Sequence, residues 1–92
     1  MVLADFLEKN SLNNMQEFLH YLISSIVDDV DSIKIDEEKE EGVVRFNVSL
    51  ATLDYGKVIG KGGKTVNALK NLLYVYRAKT EEPPQQIFIN VR

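Results

Sequence analysis

Residues 58 to 65 read VIGKGGKT, with three glycines and two lysines in eight positions. Glycine leaves backbone amides without a Cβ in front of them, and lysine adds mobile positive charge, so the chemistry such a stretch can do is to hold an anion. Two phosphate-bearing guests fit that description, a nucleoside triphosphate and a nucleic-acid backbone. Spacing separates them. A triphosphate loop of the form G-x-x-x-x-G-K-[ST] would end on Gly63-Lys64-Thr65 and would need glycine at position 58, which is Val58. A dinucleotide fingerprint, G-x-G-x-x-G, would begin at Gly60 and need glycine at position 65, which is Thr65. What remains is G-x-x-G, as Gly60-Lys61-Gly62-Gly63. Glycines at both ends let the chain turn sharply between two helices and let a sugar-phosphate strand approach closely. A helix that begins near Lys64 offers its unpaired N–H groups to that strand, and Lys57, Lys61 and Lys64 surround it with charge. This arrangement binds without a metal and without catalysis.

The charge distribution agrees with that reading once it is resolved along the chain. The net charge of −3 argues against a nucleic-acid binder, yet residues 1 to 53 carry a net −7 and residues 54 to 92 a net +4. From Lys57 to Lys79 there are six cations (Lys57, Lys61, Lys64, Lys70, Arg77 and Lys79) and no acidic residue. Screening limits the reach of the distant acidic half to about 8 to 10 Å at physiological salt, so the basic stretch can attract a polyanion locally.

Ninety-two residues, 45% of them hydrophobic, support one small core. With no cysteine and one histidine, a disulfide framework, a thiolate metal site and a histidine cluster are excluded, so no metal or cofactor is expected. The opening MVLADFLEKN lacks a basic segment followed by an apolar run, and no apolar run approaches the roughly 18 residues of a membrane span. A cytoplasmic protein is the expectation.

These residues must be placed by a small set of elements. Met15, Phe18, Leu19, Leu22, Ile23 and Ile26 make one helical stripe, with Asn14 and Glu17 spaced as a capping box. Val2, Leu3, Phe6 and Leu7 allow a short helix that docks on the domain or a partner, or a frayed terminus. Two strands follow, one around Ile33 and Ile35 and one through Val44, Phe46, Val48 and Leu50, and the acidic run from Asp36 to Glu41 reads as the solvated tip of their hairpin. A short helical turn is expected over 54 to 59, N-capped by Asp54 and buried through Val58 and Ile59. A longer helix is expected over 64 to 78, facing inward with Val66, Leu69, Leu72, Leu73 and Tyr76. Glu81-Glu82-Pro83-Pro84 reads as a loop, and Ile87, Ile89 and Val91 alternate as a last strand. His20 lies off the apolar stripe and is read as a surface residue. Tyr55, Tyr74 and Tyr76 are read as core or interface rather than as base-stacking platforms.

The stretch LDYGKVIGKGGKTVNALKNLL, residues 53 to 73, resembles the V-I-G-x-x-G signature of KH domains, and the order α-β-β-α-α-β resembles their type II form. The resemblance extends over about residues 15 to 92, leaving 1 to 14 as an N-terminal extension, and is strongest to the small bacterial single-KH proteins of the KhpA family. It implies an α+β fold in which a three-stranded mixed sheet carries helices on one face, the hairpin antiparallel and the last strand parallel to the second. It further implies binding of single-stranded RNA, with Gly60, Lys61, Gly62 and Gly63 as backbone clamp, Lys57 and Lys64 as flanking cations, and Val58, Val66 and Ile87 lining an aliphatic groove. Pairing with itself or with a second KH-containing protein of the KhpB type, in a complex serving cell elongation and envelope synthesis, belongs to the same implication. The reading set against it is an interaction subunit whose basic helix and N-terminal extension dock a partner, with slight RNA affinity. Gly62 departs from the family, which commonly has a bulkier polar residue there.

Overall fold

A computed structural model describes residues 14–79 and 86–92 of the chain. The expectations for the first thirteen residues and for the Glu81–Pro84 loop lie outside the described residues. Helix α1 spans Met15–Ser24. It begins as its sequence demands, the Asn14 side-chain oxygen accepting the Glu17 amide at 2.8 Å, and it buries Met15, Phe18, Leu19 and Ile23. A single 3-10 turn, Val30–Ser32, leads into strand β1, Lys34–Glu40, which pairs antiparallel with β2, Val43–Ser49.

The acidic run is therefore not the hairpin tip. Six of the seven β1 residues from Lys34 onward are charged, yet they form strand to Glu40, and only Glu41 and Gly42 make the turn, Gly42 at φ 74°. The sheet order β1-β2-β3 explains why this is tolerated. β1 is an edge strand, so charged side chains remain in water on its free side and outer face, where they also discourage pairing with another sheet.

A second 3-10 turn, Thr52–Asp54, precedes helix α2, Tyr55–Ile59; a third turn, Lys61–Gly63, joins it to helix α3, Lys64–Lys79. Strand β3, Gln86–Val91, then lies parallel to β2, with Val44 opposite Ile87 and Phe46 opposite Ile89. Parallel neighbours cannot be joined by a tight turn, so the whole α2–loop–α3 segment forms the crossover between them.

The helices cover one face of the sheet. Val44, Phe46 and Val48 are fully buried there against α1 and α3, and the ring of Phe18 stacks on Tyr76 with centroids 5.2 Å apart, fastening α1 to α3. On the opposite face the polar side chains are paired across strands. Asn47 donates to Glu38 at 2.6 Å and accepts from Asn90 at 3.2 Å, while the Arg45 guanidinium lies 5.5 Å from the Phe88 ring centre. Leu72, expected to face inward, is 37% exposed, because the buried stripe of α3 runs through Leu69, Leu73 and Tyr76 and turns away from it. Two of the three tyrosines hold backbone rather than present a free ring edge: Tyr55 accepts the Leu50 amide at 3.4 Å and Tyr74 the Ile87 amide at 2.9 Å. His20 is exposed, beside a shallow cleft with Asn14, Gln16 and Ile35.

Candidate nucleic-acid interface

The GxxG residues occupy the junction of α2 and α3. Gly60 ends α2 at φ 75°, ψ 170°, a region essentially closed to residues with a Cβ, and its amide still closes the last helical turn onto Gly56 at 2.9 Å. A Cβ on Gly60 would lie 2.3 Å from the Thr65 hydroxyl and 2.8 Å from the Thr65 amide nitrogen. The first glycine is thus required by conformation and by the close approach of α3. Gly62 (φ 64°) and Gly63 (φ 78°) are also left-handed, but a Cβ on Gly62 would meet nothing within 4 Å. Its departure from the family pattern removes a side chain that would point into open space.

Within the loop the Gly63 amide bonds Gly60 at 3.2 Å and the Lys64 amide bonds Lys61, whereas among the described residues no backbone carbonyl takes the amides of Lys61 and Gly62. Those two donors sit at the turn, just ahead of the sixteen-residue α3 and its dipole. Lys61 and Lys64 are exposed, and among the described residues no carboxylate pairs with either. The result is an electropositive turn of main-chain donors flanked by two exposed ammonium groups.

Lys57 is placed differently. Its ammonium pairs with Asp28 and lies 3.4 Å from Asp54. Asp54 is 2% exposed and its carboxylate is fully engaged: Oδ1 accepts the Asp28 amide and Oδ2 the Asp29 amide, each at 3.1 Å. It makes no capping bond to α2, contrary to its expected role. The Asp28 amide, then the Asp29 amide, hold the Asp54 carboxyl below its ordinary pKa against the opposing effect of burial, with Lys57 assisting. Lys57 is raised, first by its hydrogen bond to Asp28. Because the folded value of Asp54 is depressed, its contribution to stability is complete above the unfolded value of about 3.9 and disappears as pH falls through the lowered folded value. Urea titrations of Asp54→Asn beside the parent should therefore show a deficit at pH 7 that narrows as pH falls below about 3.9.

The expected aliphatic groove requires correction. Val58 and Ile87 are 0% and 1% exposed, so they form the floor of the core and offer no surface to a base; Val66 is half-buried. Successive residues on a helix are about 100° apart, and in this five-residue helix Val58 takes the inward position while Ile59 lies to one side of it. Ile59, expected to be buried, is 38% exposed immediately before Gly60. The open edge of β3 runs beside α2 and α3, completing the surroundings of the loop. Among the described residues, no group of His, Cys, Asp and Glu is placed to hold a metal ion, and no helix is long and apolar enough to cross a membrane.

Comparison with known proteins gives the same frame. A family model described as KhpA/KhpB, KH domain, matches residues 16–87. The chain is 39% identical over 59 residues to the RNA-binding protein KhpA of Chlamydia pneumoniae, covering 64% of this chain and 76% of that protein. It is 33% identical over 67 residues to the RNA-binding protein KhpA of Oceanobacillus iheyensis, covering 73% of this chain and 87% of that one. With the α-β-β-α-α-β order, the parallel β2–β3 pair and the GxxG turn between α2 and α3 all in place, the chain belongs to the KhpA/KhpB family of KH domains and has the type II KH fold.

Proposed function

We propose that this protein binds single-stranded RNA, without catalysis, through the turn Gly60–Gly63. The observation that carries the reading is that, among the described residues, no backbone carbonyl takes the amides of Lys61 and Gly62 and no carboxylate pairs with Lys61 or Lys64, at the start of α3. Phosphate oxygens accept from the amides, the two ammonium groups neutralise charge, and Ile59 with the exposed part of Val66 supplies apolar surface for a base. The names of the relatives, RNA-binding protein KhpA, support this chemistry.

The double variant Lys61→Asp, Gly62→Asp tests the reading. Asp tolerates the left-handed backbone of Gly62 and meets no neighbour there, so the fold should be retained by circular dichroism. RNA affinity should fall at least about tenfold, and in the parent log K should decline with log salt at a slope near about −1.4 for two neutralised phosphates. RNA affinity unchanged in a folded double variant would reject the proposal.

A second reading concerns partners. Leu72 and Val75 are 37% and 45% exposed on the outer side of α3, an apolar surface that suits docking to a second copy or to another KH-containing protein of the KhpB type. Under this reading the complex acts in the cytoplasm in cell elongation and envelope synthesis, and α3 serves assembly with one face while its start serves RNA.

A further inference from the structure

Resting on the RNA-clamp reading, we infer that Asp54 and Lys57 are positioning residues of the clamp, which fasten its first helix to the loop after α1, and that Lys57 is committed to this joint rather than to RNA phosphate.

The argument begins with how little else holds α2. The helix has five residues, no side-chain cap at its N-terminus, and one fully buried side chain, Val58. Five residues are too few for a helix to persist by itself. Its orientation, and with it the direction of the Gly60 backbone, must be set from outside. Val58 fixes one point in the core, and the Tyr55 hydroxyl accepts the Leu50 amide. Neither tie reaches the loop after α1. That link is made by Asp54, whose two carboxylate oxygens take successive amides from Asp28 and Asp29, residues 26 and 25 positions earlier. Lys57, one turn further along, bridges the same Asp54 and the Asp28 side chain. The carboxylate thus joins two segments at their backbones, and the ammonium closes the joint from the solvent side. A cation already neutralised by two carboxylates has little free field to offer a phosphate, and engaging RNA would require it to abandon both. Among the described residues, no carboxylate commits Lys61 or Lys64 in this way.

The sign of the effect separates this from ordinary electrostatics. Removing a negative charge near an RNA site strengthens binding if charge is all that matters. Positioning predicts the reverse for Asp54→Asn, because the isosteric amide replaces one acceptor by a donor facing a donor. Binding of a labelled, mixed-sequence single-stranded oligoribonucleotide across a salt series, at a temperature where each variant is folded by circular dichroism, reads both residues. Asp54→Asn is expected to weaken binding roughly fivefold at every salt concentration, through lost preorganisation, with the salt slope unchanged. Lys57→Met is expected to leave the slope unchanged, whereas Lys61→Met reduces its magnitude by about 0.7. Exchange of the two bonded amides of the turn, Gly60 and Gly63, in Asp54→Asn, which needs no RNA, should accelerate relative to the parent. Equal or tighter RNA binding by folded Asp54→Asn, or a slope reduced by Lys57→Met as much as by Lys61→Met, would overturn the inference while leaving the clamp reading intact. An unaltered affinity and slope in Lys61→Met would instead remove the clamp reading, and this inference with it.

Discussion

Gly60→Ala is expected to lower stability by about 3 kcal/mol, the sum of a backbone held where residues with a Cβ are strained and a side chain forced against its neighbour. For a chain of this size that is a fall in Tm of roughly 15 °C by calorimetry. The new methyl would press on the Thr65 hydroxyl, Cβ and backbone nitrogen together. The companion change Thr65→Ala should therefore restore only part of the loss, since the backbone nitrogen and the φ of 75° remain. Gly62→Ala, two residues away, should cost only about 1 kcal/mol, because its price is the left-handed backbone alone. On the proposed reading, RNA binding should separate the two positions in the same order, because Gly60→Ala should move the turn off the start of α3 and Gly62→Ala should leave it in place.

Phe18→Ala should be more costly still, about 4 kcal/mol. Phe18 is fully enclosed and stacks on Tyr76, so its removal opens a cavity at the seam between α1 and α3 and forfeits an aromatic pair. Against a total of about 5 to 15 kcal/mol for a domain, that loss brings the folded state close to its limit. Urea denaturation should show a lower midpoint with an unchanged m-value, while Phe18→Leu, which nearly conserves volume, should cost less than about 1.5 kcal/mol. The functional consequence is indirect. Beyond α1 lie Asp28 and Asp29, whose amides Asp54 receives, so a loosened α1 should show faster hydrogen exchange at those two amides.

Local patterns predicted most of these elements, and the failures share a cause. α1 follows from its stripe and from Asn14, because both signals lie within one helix. The turn at Gly60–Gly63 follows from glycine offsets, and both of its end glycines, Gly60 and Gly63, lie at positive φ. β1 was obscured because charge on consecutive residues marks a loop unless the strand is known to lie at an edge, and edge position is a property of the sheet. Val58 and Ile59 differ by one residue and by their whole environment, which depends on the phase of a five-residue helix too short to show a period. Asp54 is the least visible of all. Its partners are main-chain amides, which carry no residue signature, and they lie more than twenty positions away. At its own position it looks like a helix cap.

The crossover topology bears on when the turn acquires its shape. β3 pairs with β2, but everything from α2 to the end of α3 is synthesised between them. A chain emerging from the ribosome therefore exposes its glycines and lysines before the strand that frames them exists. Closing a parallel pair over so long a loop is among the slower steps in folding. On the reading proposed above, the turn thus carries its charge before it has its geometry, and the clamp is complete only when β3 has joined the sheet.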